Sequence, residues 1–264
     1  MLKMSKAKHA FVQRFYRFDE DIQLVDYLSW QSNSRSGVLN SSSALLPGDI
    51  SKYERLHKRN LKGRSFRENR SAIFTHLKQT TFSSYIKESY EEVTEYLKVI
   101  LKSAALSKKV SISQFVGGQA KLTITAFDIY EAGDFKSISD SLIDKIFQEL
   151  EKERSTLKLV KNVCGKLSLA GDENIINKSV RYLNIRHYLV HSDGKLPSDF
   201  IKELKGNGIA ISCDRNGYIK LNYELIKEFR TSVSSLVDHI DKLLIDSNFL
   251  SSAFIHRGKN RIAP

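Results

Sequence analysis

The chain has 264 residues, of which 41% are hydrophobic and 27% are charged, so it can bury a core and global disorder is excluded. Because it has no apolar run long enough to span a membrane, no apolar secretion signal at its charged start and only two cysteines, we expect a cytoplasmic protein without a membrane partner. The net charge of +12 favours a polyanion partner such as nucleic acid, or it serves solubility.

The first 80 residues hold most of the basic excess, with 15 basic and 7 acidic residues and therefore a net charge of +8. Hydrophobic periodicity predicts a helix over residues 7–30, and the Ser-, Asn- and Gly-rich stretch 31–49 predicts a linker. A basic stretch with interleaved apolar residues follows over 51–70. It favours either a short helix or a solvated connector.

The next part of the chain has the apolar pattern of long helices. From Ser71 the apolar residues recur at spacings of three and four, which predicts a long amphipathic helix that breaks over 107–119. Residues 121–133 are compatible with a strand or with a helix. Ser137 is a candidate N-cap for a helix that continues to Gly165.

A further helix is predicted from Asp172, which has N-cap chemistry, to a stop near Gly194. Residues 209–221 contain two strand-like runs around an Asn-Gly turn, which predicts a β-hairpin, and a last helix is predicted over 223–246. Long amphipathic helices bury their apolar faces against each other, so we predict a mainly all-α helical bundle with a small β-hairpin before the last helix. The predicted regions are a basic N-terminal helix and linker over 1–70, the bundle over 71–250 and a basic tail over 251–264.

Motifs for common cofactor and catalytic sites are missing from the chain. It has no GxGxxG fingerprint, Walker loop, GxSxG elbow, CxxC pair or HExxH motif. We therefore expect no cofactor.

The stretch from Arg181 to Gly194 is dense in functional groups and has three interpretations. Arg186 and His191 can act on a phosphodiester, because an imidazole can take the proton of a ribose 2′-hydroxyl and a guanidinium can stabilise charge on phosphorus. His187 and His191, four residues apart, can ligate a metal ion from one helix face. No third ligand is evident, so we assign no metal site. Alternatively, both histidines are structural and cap the C-terminus of the helix.

The run R-H-Y-L-V-H at residues 186–191, followed by S-D-G near a predicted helix end, resembles the R-x4–6-H motif of the HEPN superfamily. Many HEPN proteins are metal-independent endoribonucleases of toxin–antitoxin or anti-phage systems, and they act as dimers whose motifs face one cleft. The resemblance implies that Arg186 and His191 are the catalytic pair, that His187 supports them, and that cleavage leaves a 2′,3′-cyclic phosphate. The implied partners are RNA, a second copy of the chain in a composite active site, and an antitoxin or defence protein.

Residues beside the motif and in the basic stretch are candidates for binding the RNA, because aromatic rings stack on bases and cations bind phosphates. These candidate substrate-binding residues are Asn184, Tyr188, Lys58, Arg59 and Arg64.

Helix geometry determines whether the two motif residues can point into the same cleft. Residues five apart on an ideal helix differ by about 140° in direction. Arg186 and His191 therefore share a cleft only if the last turn is distorted or if a second chain completes a wide cleft. His187 and Asn184 are better placed to share a face with His191. The acid or base role of His191 stays open, because the helix dipole favours its protonated form and Arg186 opposes it.

Two alternatives to an endoribonuclease stay open. A non-catalytic HEPN-like module binds RNA, a nucleotide or a partner protein without cleaving it. An α-helical DNA-binding protein uses the basic ends of the chain, although the sequence has no clear helix-turn-helix.

Overall fold

The computed structural model describes residues 2–33, 66–107, 125–152, 155–252 and 254–256. These residues form eight helices and two short strands, so the predicted all-α class is confirmed. In chain order the elements are β1 (Leu2–Met4), α1 (Lys6–Asn33), α2 (Phe66–Leu106), α3 (Ala126–Ala132), α4 (Phe135–Glu151), α5 (Thr156–Lys166), α6 (Glu173–His191), α7 (Ser198–Gly206), α8 (Tyr223–Asp246) and β2 (Phe254–His256). Among the described helices, none is both long and apolar enough to cross a bilayer.

The first two helices pack along each other in opposite directions. Near the start of α1, the ring of Phe11 contacts the ring of Tyr96 on α2. Near the end of α1, Asp26 forms an ion pair with Lys78 of α2. The two helices are therefore antiparallel, and α1 contributes to the same apolar core as the later helices. The predicted boundary at residue 70 lies inside α2.

Helices α6 and α8 are also antiparallel. The Ser179 hydroxyl donates to the Ser232 carbonyl at 2.8 Å, and the Tyr182 hydroxyl donates to Glu228 Oε2 at 2.8 Å. A later residue of α6 thus contacts an earlier residue of α8, as expected for helices that run in opposite directions. Since α6 carries the predicted catalytic motif, its packing on α8 positions the candidate site.

The ring of Phe229 lies at the centre of the core and is fully buried. It makes edge-to-face contacts with Tyr85 of α2 and Tyr182 of α6, at centroid distances of 6.0 and 6.1 Å. Such contacts place the positive edge of one ring against the negative face of another. One aromatic cluster therefore joins α2, α6 and α8 and sets how they are rotated relative to each other.

Polar contacts join α1 to α8 at two places, in the middle of α1 and just before its first residue. Arg230 Nε lies 2.6 Å from Asp19 Oδ1, and the Tyr85 hydroxyl donates to the same carboxylate oxygen at 3.4 Å. Burial raises the pKa of Tyr85, and the neighbouring Asp19 charge raises it further. At the start of α1, the backbone N–H of Ser5 donates to the buried carboxylate of Asp241 at 3.0 Å.

The two short strands bring distant parts of the chain together. β1 and β2 pair antiparallel, with Leu2 opposite His256. The sequence pattern predicted only a basic tail over 251–264, so this pairing was missed. Residues 257–264 lie outside the described residues.

Side-chain caps define the helix starts, and one of the two predicted caps is wrong. The carboxylate of Asp172 accepts the N–H of Asn174 at 2.8 Å, so the predicted cap of α6 is confirmed. Ser137 does not cap α4, because that helix already begins at Phe135. The cap is Asp134, whose carboxylate accepts the N–H of Ser137 at 2.9 Å.

The helix predicted to continue to Gly165 is in fact two helices, α4 and α5. Ser155 caps the second helix, so a new start interrupts the apolar spacing. The ambiguous stretch 121–133 contains the helix α3, which begins with a capping box between Thr125 and Asp128. Local capping thus decides boundaries that apolar spacing alone leaves open.

The predicted β-hairpin at 209–221 is not confirmed as a pair of strands. One isolated antiparallel bridge joins Cys213 to Ile219. The adjacent Tyr218 also bridges Lys195, in the loop after α6. Two backbone hydrogen bonds flank the Cys213–Ile219 bridge, from the Asp214 N–H to the Tyr218 carbonyl and from the Lys220 N–H to the Ser212 carbonyl, both at 2.8 Å. Within the described residues, the region therefore turns back on itself around single bridges, without two regular strands.

Several predicted features lie outside the described residues. They include most of the linker 31–49 and most of the basic stretch 51–70. The candidate RNA-binding residues Lys58, Arg59 and Arg64 are among them. Their role stays a prediction from the sequence.

Phe229→Ala is expected to lower the free energy of unfolding by about 3–5 kcal/mol, because a fully buried ring is replaced by a cavity. Phe127→Ala is the matched control. The Phe127 ring is 66% exposed, so the expected change is within about 0.5 kcal/mol. Urea unfolding followed by circular dichroism measures both values, and similar losses in the two variants would contradict the central position of Phe229.

Candidate functional site

α6 is a regular helix from Glu173 to His191, and a glycine turn ends it. The N–H groups of Ser192 and Gly194 both donate to the Tyr188 carbonyl, at 3.0 and 2.9 Å. Gly194 has a φ of +87°, a left-handed conformation that favours glycine. The predicted stop near Gly194 is therefore confirmed.

The guanidinium of Arg186 lies against α2. Its Nη2 atom is 3.0 Å from Glu91 Oε1, and its central carbon is 4.7 Å from the centroid of the Tyr90 ring, a cation–π contact. The side chain is 29% exposed, and its Nε atom is buried without a hydrogen-bond partner. Arg186 is thus held by two side chains of α2 while part of its guanidinium still reaches solvent.

His187 and His191 lie exposed on the last turns of α6. Their ring centroids are 4.8 Å apart, as expected for side chains one turn apart on a helix. His187 also makes an edge-to-face contact with Tyr188 at 5.2 Å. Across the described ranges, no group of three His, Cys, Asp or Glu side chains is placed to hold a metal ion. The two imidazoles therefore form an exposed pair that a substrate can approach.

Arg186 and His191 face different ways on α6. Five residues turn an α-helix through about 140° beyond a full turn and advance it by about 7.5 Å. Because α6 continues unbroken through both residues, the distorted last turn that the sequence left open does not occur. Within one chain, the guanidinium faces α2 and the imidazoles face solvent on another side of the helix.

Asn184 and Tyr188 flank the motif in different surroundings. Asn184 is half-buried, and its helical spacing places it on the same side of α6 as His191. The ring of Tyr188 packs on Phe200 of α7 at a centroid distance of 4.6 Å. Burial raises the pKa of Tyr188, and Glu203 raises it further. Tyr188 is therefore mainly a packing residue, and Asn184 is the better placed of the two to meet a substrate.

Two further acidic side chains lie near Glu91, the partner of Arg186. Glu91 and Glu95 lie one turn apart on α2, and Glu151 ends α4. Burial raises the pKa of Glu151, while Lys98 lowers it. The charges of Glu91 and Glu95 raise that pKa as well. Arg186 pairs with one member of this cluster, Glu91, and Lys98 is the cation that acts on Glu151.

Glu91 and Tyr90 are site residues that sequence reasoning missed. Tyr90 continues the apolar spacing of α2, and Glu91 is one of several acids on that helix. Neither residue therefore carries a local signal. Only the contact with Arg186, 95 positions further along the chain, identifies Glu91.

The exposed end of α6 lies at the same end of the bundle as the C-terminus of α1. Tyr182 contacts Glu228, so the last turns of the antiparallel α6 lie beside or beyond Tyr223, the first residue of α8. Tyr223 in turn lines a recess with Trp30, near the end of α1. Because the two helices are antiparallel, the end of α1 and the start of α2 both lie at this end of the bundle.

Comparison of the chain with protein-family models, with curated proteins and with solved structures finds no match. Support for a function therefore comes from the site and from the motif in the sequence. The site offers imidazoles, which transfer protons, and a guanidinium, which stabilises negative charge. Both groups suit phosphodiester chemistry.

A double-mutant cycle of Arg186→Ala and Glu91→Ala is expected to give a coupling energy of about 0.2–1 kcal/mol, because the ion pair is partly exposed and water screens it. Urea unfolding of the four proteins measures this energy. A small value leaves the guanidinium able to exchange a carboxylate for a phosphate. A coupling energy of several kcal/mol would instead make Arg186 a structural anchor.

Proposed function

We propose that the protein is a metal-independent endoribonuclease of the HEPN type that acts in prokaryotic toxin–antitoxin or anti-phage defence. The observation that supports this most is the exposed pair of His187 and His191 at the free end of α6, which also carries the partly exposed Arg186. These are the groups that cleavage by a 2′-hydroxyl needs. The resemblance of residues 186–191 to the R-x4–6-H motif points to the same residues.

The proposed reaction uses the nucleophile of the RNA itself. An imidazole takes the proton of the 2′-hydroxyl, and the 2′-oxygen attacks the adjacent phosphorus. The bond between phosphorus and the 5′-oxygen breaks, and the 5′-oxygen receives a proton from an imidazolium. The products are a 2′,3′-cyclic phosphate and a 5′-hydroxyl. His191 is the proposed proton carrier, with His187 in support 4.8 Å away, and Arg186 stabilises the charge on the pentacoordinate phosphorus.

A second copy of the chain is part of this proposal. Arg186 and His191 of one chain differ by about 140° in direction, so one chain does not direct both groups at one phosphodiester. In a symmetric dimer, a residue i that meets residue j of the partner is matched by j meeting the partner's i, so a proposed interface that includes both sides of the end of α6 forms two equivalent composite sites. Arg186 of one protomer and His191 of the other then face one substrate.

Glu91 has a defined place in the proposed mechanism. Its carboxylate accepts a hydrogen bond from Arg186 Nη2. The same N–H group can instead donate to a phosphate oxygen. A partly exposed ion pair contributes about 0.2–1 kcal/mol, so RNA can displace it at little cost. Glu91 thus holds the guanidinium in place until a phosphodiester replaces it.

A non-catalytic RNA-binding module is the second candidate, and the Arg186–Glu91 ion pair favours it. The guanidinium is already bound to a carboxylate and is directed away from His191. A protein of this kind binds RNA through its basic residues without cleaving it.

The proposed enzyme is expected to cleave RNA in the presence of EDTA and to leave 2′,3′-cyclic phosphate ends. Arg186→Ala and His191→Ala are each expected to lower the cleavage rate by about 100- to 10,000-fold, because charge stabilisation or proton transfer is lost. Gel electrophoresis of end-labelled RNA measures the rate.

Arg181→Ala and His76→Ala are the matched controls. Arg181 is another partly exposed arginine of α6, paired with Glu203 at 3.1 Å, and His76 is an exposed histidine of α2. Both variants are expected to cleave at the wild-type rate. Loss of all cleavage in EDTA would contradict the metal-independent mechanism, and binding without any cleavage would favour the non-catalytic module.

A further inference from the structure

Two aromatic rings lie exposed near the end of α1. Tyr27 and Trp30 are each 55% exposed, and their ring centroids are 6.1 Å apart at an interplanar angle of 35°. They line an open recess of about 340 Å³ together with Gln23, Asp26 and Tyr223. This volume is within the range of about 300–1,000 Å³ that is typical of small-molecule sites.

The recess is built mainly by one face of α1. Its four α1 residues are spaced by three, one and three positions, which places their side chains side by side on the helix. The Tyr27 hydroxyl accepts a hydrogen bond from Gln31 Nε2 at 2.9 Å, which orients the Tyr27 ring. Tyr223, the first residue of α8, completes the recess. The recess therefore combines side chains of two helices, with the Tyr27 ring held by a hydrogen bond.

Aromatic rings with free faces bind nucleobases by stacking, and this contact tolerates any base. Selectivity comes from polar groups that reach the edge of the stacked base. The recess offers the carboxylate of Asp26, which is partly exposed and pairs through Oδ1 with Lys78. An ionised carboxylate accepts hydrogen bonds and donates none.

Guanine is the base whose chemistry fits a carboxylate best. On its Watson–Crick edge the N1–H and the N2 amino group are adjacent donors. Adenine and cytosine place an acceptor beside their amino group, and uracil places its single N–H between two carbonyls. A carboxylate thus meets two donors on guanine and at most one on each of the other bases.

We propose that this recess binds a guanine base of RNA, with the base stacked on Trp30 beside Tyr27 and with its N1–H and N2 amino group donating to Asp26. The inference rests on the proposed function for its choice of RNA as the ligand. The recess lies at the same end of the bundle as the exposed histidines of α6. One RNA strand can therefore reach both places, and the recess selects which phosphodiester is presented to the histidines.

Trp30 makes the test direct, because it is the only tryptophan of the chain. A base that stacks on it quenches the intrinsic fluorescence of the protein. The full-length His191→Ala variant is titrated with GMP, with UMP, with a short oligouridine and with the same oligouridine carrying one central guanosine. We expect saturable quenching, with clearly tighter binding of GMP than of UMP and of the guanosine-containing oligomer than of plain oligouridine.

Variants separate stacking from base selection. Tyr27→Ala is expected to weaken binding of the guanosine-containing oligomer by about 5- to 100-fold, through loss of one stacking partner. Asp26→Asn keeps the shape but replaces one acceptor by a donor, so the preference for guanosine is expected to disappear. Tyr16→Ala removes another exposed aromatic ring of α1, about 16 Å away along the helix, and is expected to leave binding unchanged. Urea unfolding midpoints show that each variant is folded.

Two results would overturn the inference: no saturable quenching by any of the four probes, or equal affinity for guanosine-containing and guanosine-free RNA. The outcome is independent of the cleavage assay. RNA cleavage by the wild type without quenching would remove this site and leave the proposed enzyme. Guanosine-selective quenching without cleavage would support the site and remove the proposed enzyme.

Discussion

The continuity of α6 is the constraint on which the rest of the structure depends. An α-helix turns by about 100° per residue, so an unbroken helix keeps Arg186 and His191 on different sides. The packing of Tyr182 on Phe229 fixes the rotation of α6 within the bundle. As a result the guanidinium meets Glu91 of α2, and the histidines stay in solvent. If both groups act on one phosphodiester, a second copy of the chain has to supply one of them.

The helices were largely predictable because their apolar residues follow the helical period over long stretches. The last helix has the predicted bounds of residues 223–246, and Asp172 and Gly194 mark the two ends of α6 as expected. Local competition between caps was harder to predict. The N-cap of α4 is Asp134 and not Ser137. The Asp134 carboxylate accepts the N–H of Ser137, so Ser137 already lies inside the first turn of the helix. The motif residues of α6 were identifiable because they lie close together in the sequence.

Contacts between distant residues were beyond the reach of sequence patterns. The ion pair of Arg186 with Glu91 and the recess that joins Trp30 to Tyr223 both bring together parts of the chain with no shared local signal. The predicted hairpin is not confirmed as two strands, although the Asp214 N–H donates to the Tyr218 carbonyl across the turn, and the additional bridge of Tyr218 to Lys195 had no local signal. Such features depend on how helices are arranged in space, and helical periodicity does not specify that arrangement.

Mixing two inactive variants tests the central claim most directly. In heterodimers of Arg186→Ala with His191→Ala, one of the two composite sites contains both an intact arginine and an intact histidine. Since half of randomly formed dimers are mixed and each has one such site, about a quarter of the wild-type cleavage activity is expected to return. Confirmed heterodimers that stay inactive, or full activity in a monomeric fraction of the wild type, would contradict the composite site.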